Sequence, residues 1–325
     1  MPKKFLQFIL GLIIFVLIIS FTDYSALKDI SFKLEFFSLV ITFSLFIAII
    51  SALKWAMITN YFAREKILPF YKYFFYLLLS RVVAYFNFKD IADFGIRTGS
   101  LRMTKKIGLY KSFNSVFFDR LIEFFIAFLL AIPCLFFFTQ IIGTWTTIYL
   151  MISIFLLIFI VLTLLKFKFL VIISKFLNLV IKVLSLVPYL KNKFIKNQIF
   201  EQNKEIELPN YLFLKIIGLN FIKFIFTVLR IYFIFLTLSI EIPLIFIFVS
   251  IPLVQISGVF AFTPGGLGIL EAGWLILLKL LNISSADISI FLVGQRILIF
   301  ISTLIITSIT FIFYLIKNKI VLRKQ

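Results

Sequence analysis

Lys215, Lys223 and Arg230 recur at intervals of eight and seven residues inside an otherwise apolar run from Tyr211 to Leu238. At about 100° per residue, those intervals confine the three cations to an arc of roughly 80° on one helix face. A cationic stripe of this kind suits the path of an anionic group through Lys223 and Arg230, whereas Lys215, nearest the end of the run, reads as a side chain that snorkels to the interface. A second set is Asp119, Arg120 and Glu123, whose spacings of three and four residues place them in one compact cluster at the start of the run Val116 to Phe138. The third set is Thr263-Pro264-Gly265-Gly266-Leu267-Gly268-Ile269-Leu270-Glu271, with Arg296 further on. Proline donates no backbone hydrogen bond, and each glycine weakens a helix by about 1 kcal/mol relative to alanine. Helix therefore stops near Thr263 and restarts near Ile269. The amides of Gly265 to Gly268, standing before a new helix start, could donate to a phosphate. Glu271 and Arg296, in opposed segments, can pair across the break. No Lys-Ser or Lys-Thr follows the glycines, so this is not a nucleotide P-loop.

Other chemistry is excluded by what the chain lacks. It has no histidine and one cysteine, Cys134, inside an apolar run. Disulfide frameworks, Cys/His zinc sites and histidine-assisted nucleophiles have no residues to build on. No metal, cofactor or catalytic residue is expected.

The elements that must position these residues are membrane helices. Of 325 residues 62% are hydrophobic and only 14% charged, far from the balance of a soluble domain. The excess of 33 basic over 14 acidic residues does not read as nucleic-acid binding, because no polar stretch is long enough for such a domain. It faces an anionic leaflet instead.

Apolar stretches near twenty residues mark spans, and basic loops mark the cytoplasmic side. Lys3 and Lys4 put the N-terminus inside, ahead of a retained first span, Phe5 to Phe21. The acidic-leaning segment Thr22 to Glu35 is outside. A second span, Phe36 to Leu53, leads to a cytoplasmic segment with Lys54, Arg64, Lys66 and Lys72 against Glu65. Tyr73 to Phe86, interrupted by Arg81, is too short to cross, and the segment Asn87 to Ser115 after it carries six basic residues against two acidic ones. Both flanks are thus cytoplasmic, which predicts an inward-opening re-entrant hairpin or an interfacial helix. Val116 to Phe138 crosses outward and Trp145 to Leu165 returns.

The region from 166 to 209 has eight lysines against three glutamates, with Lys168, Lys175 and Lys182 spaced by seven residues. It predicts an amphipathic helix lying on the cytoplasmic membrane face. Tyr211 to Leu238 then crosses outward. Ile242 to Phe262 and Ile269 to Leu281 lie between Glu241 and Asp287, both outside, so they predict an outward-opening hairpin bent at Pro264 to Gly268. Ile288 to Ile316 returns to a basic, cytoplasmic C-terminus. The reading is an all-α polytopic bundle with about six full spans and two re-entrant or broken hairpins, in one integral membrane domain, 1–325. Residues 36–165 and 211–316 read as inverted repeat halves joined by the basic region, with Asp119-Arg120 and Gln295-Arg296 at equivalent places.

On these residues the chain resembles the flippase-like membrane family that includes the membrane domain of lysylphosphatidylglycerol synthases. The resemblance rests on Pro264-Gly265-Gly266-Leu267-Gly268 with Glu271, on Asp119-Arg120, and on Arg296. Where the family commonly has a Gly-Glu pair and an arginine after a proline, this chain has Gly99-Ser100-Leu101-Arg102. The resemblance implies handling of an anionic phospholipid or a polyprenyl-linked glycolipid, in a prokaryotic plasma membrane. Arg120, Lys223, Arg230 and Arg296 would attract phosphate, the loop at Gly265, Gly266 and Gly268 would donate to it, and Glu271 would hold an arginine or a cationic head group. Asp119, Glu123 and Arg102 would support the site. With nine residues after Ile316, the likeness is to the membrane domain alone, and lipid aminoacylation is not expected. The alternatives are a membrane glycosyltransferase or head-group transferase using Glu271 or Asp119 as base, and a membrane subunit that docks a separately encoded enzyme through the basic region.

Overall fold

A computed structural model describes residues 32–87, 89–104, 106–164, 209–259, 263 and 265–322. The expected first span, the basic region from 166 to 208 and Pro264 lie outside the described residues. The described residues form nine helices and no strand: α1 Leu34–Ala63, α2 Phe70–Phe86, α3 Lys89–Arg102, α4 Leu109–Phe138, α5 Thr144–Leu164, α6 Asn210–Thr237, α7 Leu244–Val259, α8 Ile269–Leu280 and α9 Ser285–Leu322. Within them Leu34–Ala63, Lys111–Phe138, Tyr211–Thr237 and Ser285–Lys317 are long and apolar enough to cross a bilayer. Each exceeds the about 20 residues that a hydrocarbon core needs. The chain is an all-α polytopic membrane bundle.

Backbone chemistry sets the boundaries. α1 ends where Arg64 turns left-handed, with φ 62°. α2 and α6 begin directly after Pro69 and Pro209, whose extended backbones suit a helix entrance and whose missing N–H costs nothing there. Several serines and threonines inside the spans return their hydroxyls to the preceding turn, as Ser51 does to the Ile47 carbonyl at 2.7 Å, which satisfies the donor within the helix; Ser44 and Ser250 do not.

α1 and α6 form the axis of the bundle, with α2, α4 and α9 also against α1. Aromatic rings lock the axis: Phe43 stacks on Phe233 at 5.5 Å and also meets Phe226 at 5.8 Å. On another face of α6, Phe235 stacks on Phe291 of α9 at 3.9 Å while Trp274 of α8 meets the Phe291 ring edge-on at 5.0 Å. The faces of α4, α5 and α9 turned away from this core carry exposed Phe, Ile and Leu side chains, the surface a lipid solvent requires.

Two helical hairpins complete the bundle. α7 and α8 fold back on each other closely enough that a Cβ on Gly273 would stand 2.7 Å from the Ser257 hydroxyl. α2 and α3 do the same, and Ser80 of α2 donates to Asp93 of α3 at 2.8 Å. This second pairing corrects the sequence reading: the residues taken there as a charged cytoplasmic loop supply the returning limb of the first hairpin. Lys54, counted among the loop charges, is also displaced from that role. It lies within α1 with its side chain fully buried.

Candidate functional site

The first ionic cluster grows from four elements. Asp93 and Arg97 stand one turn apart on α3, Asp119, Arg120 and Glu123 open the apolar part of α4, Lys54 comes from α1 and Lys223 from α6. Arg97 donates to Asp93 at 3.0 Å and to Asp119 at 2.7 Å, and its guanidinium lies 4.5 Å over the Trp55 ring. Arg120 donates from Nε and Nη2 to the same Asp93 oxygen, at 2.9 and 2.7 Å, and from Nη1 to Glu123 at 3.1 Å. The Lys54 and Lys223 ammonium groups both reach Glu123 Oε1 at 2.6 Å. Lys54 also lies 3.3 Å from Asp119 and donates to the Asn220 side-chain oxygen.

Four cations thus face three carboxylates. Pairing is what permits them there, since a lone charge at membrane depth costs roughly 2.5 to 3.5 kcal/mol on insertion scales. Exposure divides the cluster in two. The Lys54 and Arg97 side chains are 0% exposed, whereas Arg120 keeps 32% and Glu123 and Lys223 keep 19% each. The first two are a structural floor, and the last three can meet a ligand.

The second cluster is smaller. Glu271, fully buried at the start of α8, accepts from Arg296 of α9 and from the Gly268 amide at 2.8 Å. The other two donors of Arg296 go to backbone, to the Gly265 carbonyl at 2.6 Å and the Gly266 carbonyl at 3.1 Å. Those carbonyls can point at Arg296 because Gly265, Gly266 and Gly268 hold φ values of 62°, 68° and 85°, a region where a Cβ is penalised. The loop closes on itself through Thr263, whose hydroxyl donates to the Leu267 carbonyl at 2.6 Å.

The two hairpins touch at their tips. The Gly265 amide donates to the Asn87 carbonyl at 3.0 Å, and a Cβ on Gly265 would stand 3.2 Å from the Tyr85 carbonyl.

Of the residues singled out in the sequence, Asp119, Arg120, Glu123 and Lys223 come together in the first cluster, and Glu271 and Arg296 pair as expected. The loop glycines take a different part. The Gly265, Gly266 and Gly268 amides donate to Asn87, Thr263 and Glu271, so in this conformation those donors are taken and the loop presents carbonyls to an arginine. Arg102 is exposed at the end of α3, outside the cluster, and Arg97, five residues earlier, is the arginine that the hairpin buries. Lys215 is exposed above the Tyr211 ring. Arg230 joins neither cluster. The residues that sequence reading passed over are Lys54, Asp93 and Arg97. The i,i+4 spacing of Asp93 and Arg97 was a usable signal.

The chain matches the family described as lysylphosphatidylglycerol synthase TM region over residues 5–307. No curated protein and no solved structure matches it.

Proposed function

The chain belongs to the lysylphosphatidylglycerol synthase TM region family, and from that premise we propose that it binds the head group of an anionic phospholipid or polyprenyl-linked glycolipid and carries it between leaflets. The supporting observation is the partly open ionic surface of Arg120, Glu123, Lys223 and Arg296 inside apolar spans. A bundle that needed only to sit in a membrane would be more stable without it, since groups of this kind at membrane depth mark paths for polar cargo. Lipid tails stay in the bilayer while the head group exchanges with these side chains.

The arrangement of hairpins supports an alternating mechanism. Each hairpin carries a carboxylate that accepts from an arginine of the next long helix: Asp93 from Arg120, and Glu271 from Arg296. Together with the meeting of the tips, this favours inverted halves at 36–165 and 211–316, of the kind that open by turns to the two faces of a membrane. We place both termini in the cytoplasm and the protein in the plasma membrane, on the loop charges of the sequence.

Reconstitution tests the reading. In liposomes containing fluorescent phosphatidylglycerol or a polyprenyl phosphate, the protein should speed loss of outer-leaflet signal over protein-free vesicles. Loss no faster than in protein-free vesicles, for both lipid classes, would count against transport.

A further inference from the structure

Lys54, Arg97, Arg120, Lys223 and Arg296 are matched to carboxylates, and Arg81 and Arg230 are not. Arg81 of α2 donates from Nη2 to the Ser51 hydroxyl of α1 at 3.1 Å and makes no ion pair among the described residues. Arg230 of α6 makes none there either, and its buried Nε has no hydrogen-bond partner. Arg81 has Arg120 and Arg230 as like-charged electrostatic neighbours, with Asp93 and Glu123 of the first cluster acting against them. Tyr85, one turn along α2, has Arg81, Arg230 and Arg296 around its phenol. Both guanidiniums thus act on one phenol, which also meets the Thr303 hydroxyl and belongs to the residue whose backbone lies at the tip where the hairpins meet. The carboxylates of the first cluster act on Arg81 without pairing with it, because Asp93 and Glu123 are held by Arg97, Arg120, Lys54 and Lys223.

We propose that Arg81 and Arg230 together hold the phosphate of a lipid phosphomonoester, in preference to a singly charged phosphodiester lipid. This rests on the lipid reading above and narrows it. A phosphomonoester brings two negative charges at neutral pH and three terminal oxygens. Two planar guanidiniums, each with parallel N–H donors, can engage those oxygens from two sides, and the phenol of Tyr85 can supply a further donor. A phosphodiester offers one charge and two free oxygens, which leaves one arginine unmatched. Arg120, Lys223 and Arg296 are already bound to carboxylates and guide the head group without being its main anchor.

The test uses the purified full chain in detergent with three probes: dioctanoyl phosphatidic acid, dioctanoyl phosphatidylglycerol and inorganic phosphate. Calorimetric titration at pH 8 should show phosphatidic acid binding at least tenfold tighter than phosphatidylglycerol, and inorganic phosphate weakest. Arg81→Gln and Arg230→Gln should each remove most of that preference, while Lys215→Gln keeps it. Lowering the pH to 5, below the second phosphate pKa of about 6, should bring the two lipids level. Should a glutamine variant fail to fold, Arg230→Lys serves instead; it retains the charge without the fork and should weaken phosphatidic acid alone. Wild-type binding of both lipids with no preference, or glutamine variants that bind as wild type does, would overturn the phosphomonoester site while leaving the lipid reading intact. Binding of neither lipid would sink both. Inorganic phosphate binding as tightly as phosphatidic acid would overturn the lipid assignment in favour of a free-phosphate site.

Discussion

The two hairpins are anchored by different means. The first, α2–α3, is held by side chains against side chains: Asp93 and Arg97 enter a lattice in which each carboxylate meets at least two cations from other positions. The second, α7–α8, is held by one arginine whose three donor atoms take one carboxylate and two loop carbonyls. Both follow one plan, a hairpin carboxylate accepting from an arginine 27 residues on in the first case and 25 in the second. What differs is redundancy. Loss of one partner in the first half leaves several charges to rearrange, but two of its members are so deeply buried that no water can replace them. In the second half the carbonyls of a glycine turn take two of the three donors, so the residue that matters is shape-specific as well as charged.

The largest effect should come from the buried floor of the first hairpin. Arg97→Leu leaves Asp93 and Asp119 short of a donor in a dry site, and breaking such a pair costs about 3 to 5 kcal/mol. A sharp fall in thermal midpoint, or loss of monodisperse protein, is expected in detergent; a variant that melts with wild type would break the comparison. Lys54→Met should behave similarly, and adding Asp119→Asn should recover part of the loss in a double-mutant cycle.

Next comes Arg296→Lys. It keeps the charge beside Glu271 but cannot reach both glycine carbonyls, at a cost of about 1 to 3 kcal/mol. For the same reason the swap of Glu271→Arg with Arg296→Glu should not rescue either single change, because a carboxylate at 296 would face the Gly265 and Gly266 carbonyls. Full rescue in a melting assay would show that the second hairpin depends on charge alone.

Gly265→Ala should cost less, about 1 to 2 kcal/mol, from its left-handed backbone and from a Cβ set 3.2 Å from the Tyr85 carbonyl. Faster hydrogen exchange at both tips, and not only at the second, would sharpen the picture of a shared contact. Arg102→Gln should be the smallest effect, with an unchanged melting curve, since surface changes away from such features usually matter little.

Among the described residues, hydropathy and loop charge were enough to mark every long helix and the second hairpin, because a bilayer imposes its thickness on any span that crosses it. The pair Glu271–Arg296 was legible too, since a carboxylate set just after a glycine break in apolar sequence needs a cation within reach, and Arg296 stands in the next span. The first hairpin was half legible. α3 carries Lys89, Asp90, Asp93, Arg97 and Arg102 in fourteen residues, so no hydropathy window could separate it from a cytoplasmic loop; the two charges it buries, Asp93 and Arg97, are tolerated because Arg120 and Asp119 of α4 answer them. Lys54 failed for a related reason. It stands where the apolar stretch pauses, and only packing against Asn220 and Glu123, far away in sequence, tells a buried lysine from a loop lysine. The direction of the glycine amides was beyond reach as well, since it depends on three positive φ values that glycine permits without requiring.

The bond between the Gly265 amide and the Asn87 carbonyl also sets an order of assembly. During synthesis Asn87 is inserted long before Gly265 exists, so the first tip must wait in the membrane with its carbonyl unmatched until the second hairpin arrives. A Gly265→Pro substitution, which removes the donor and cannot hold the φ of 62°, should leave the finished chain with its two tips unjoined, as they are before α7 has been made.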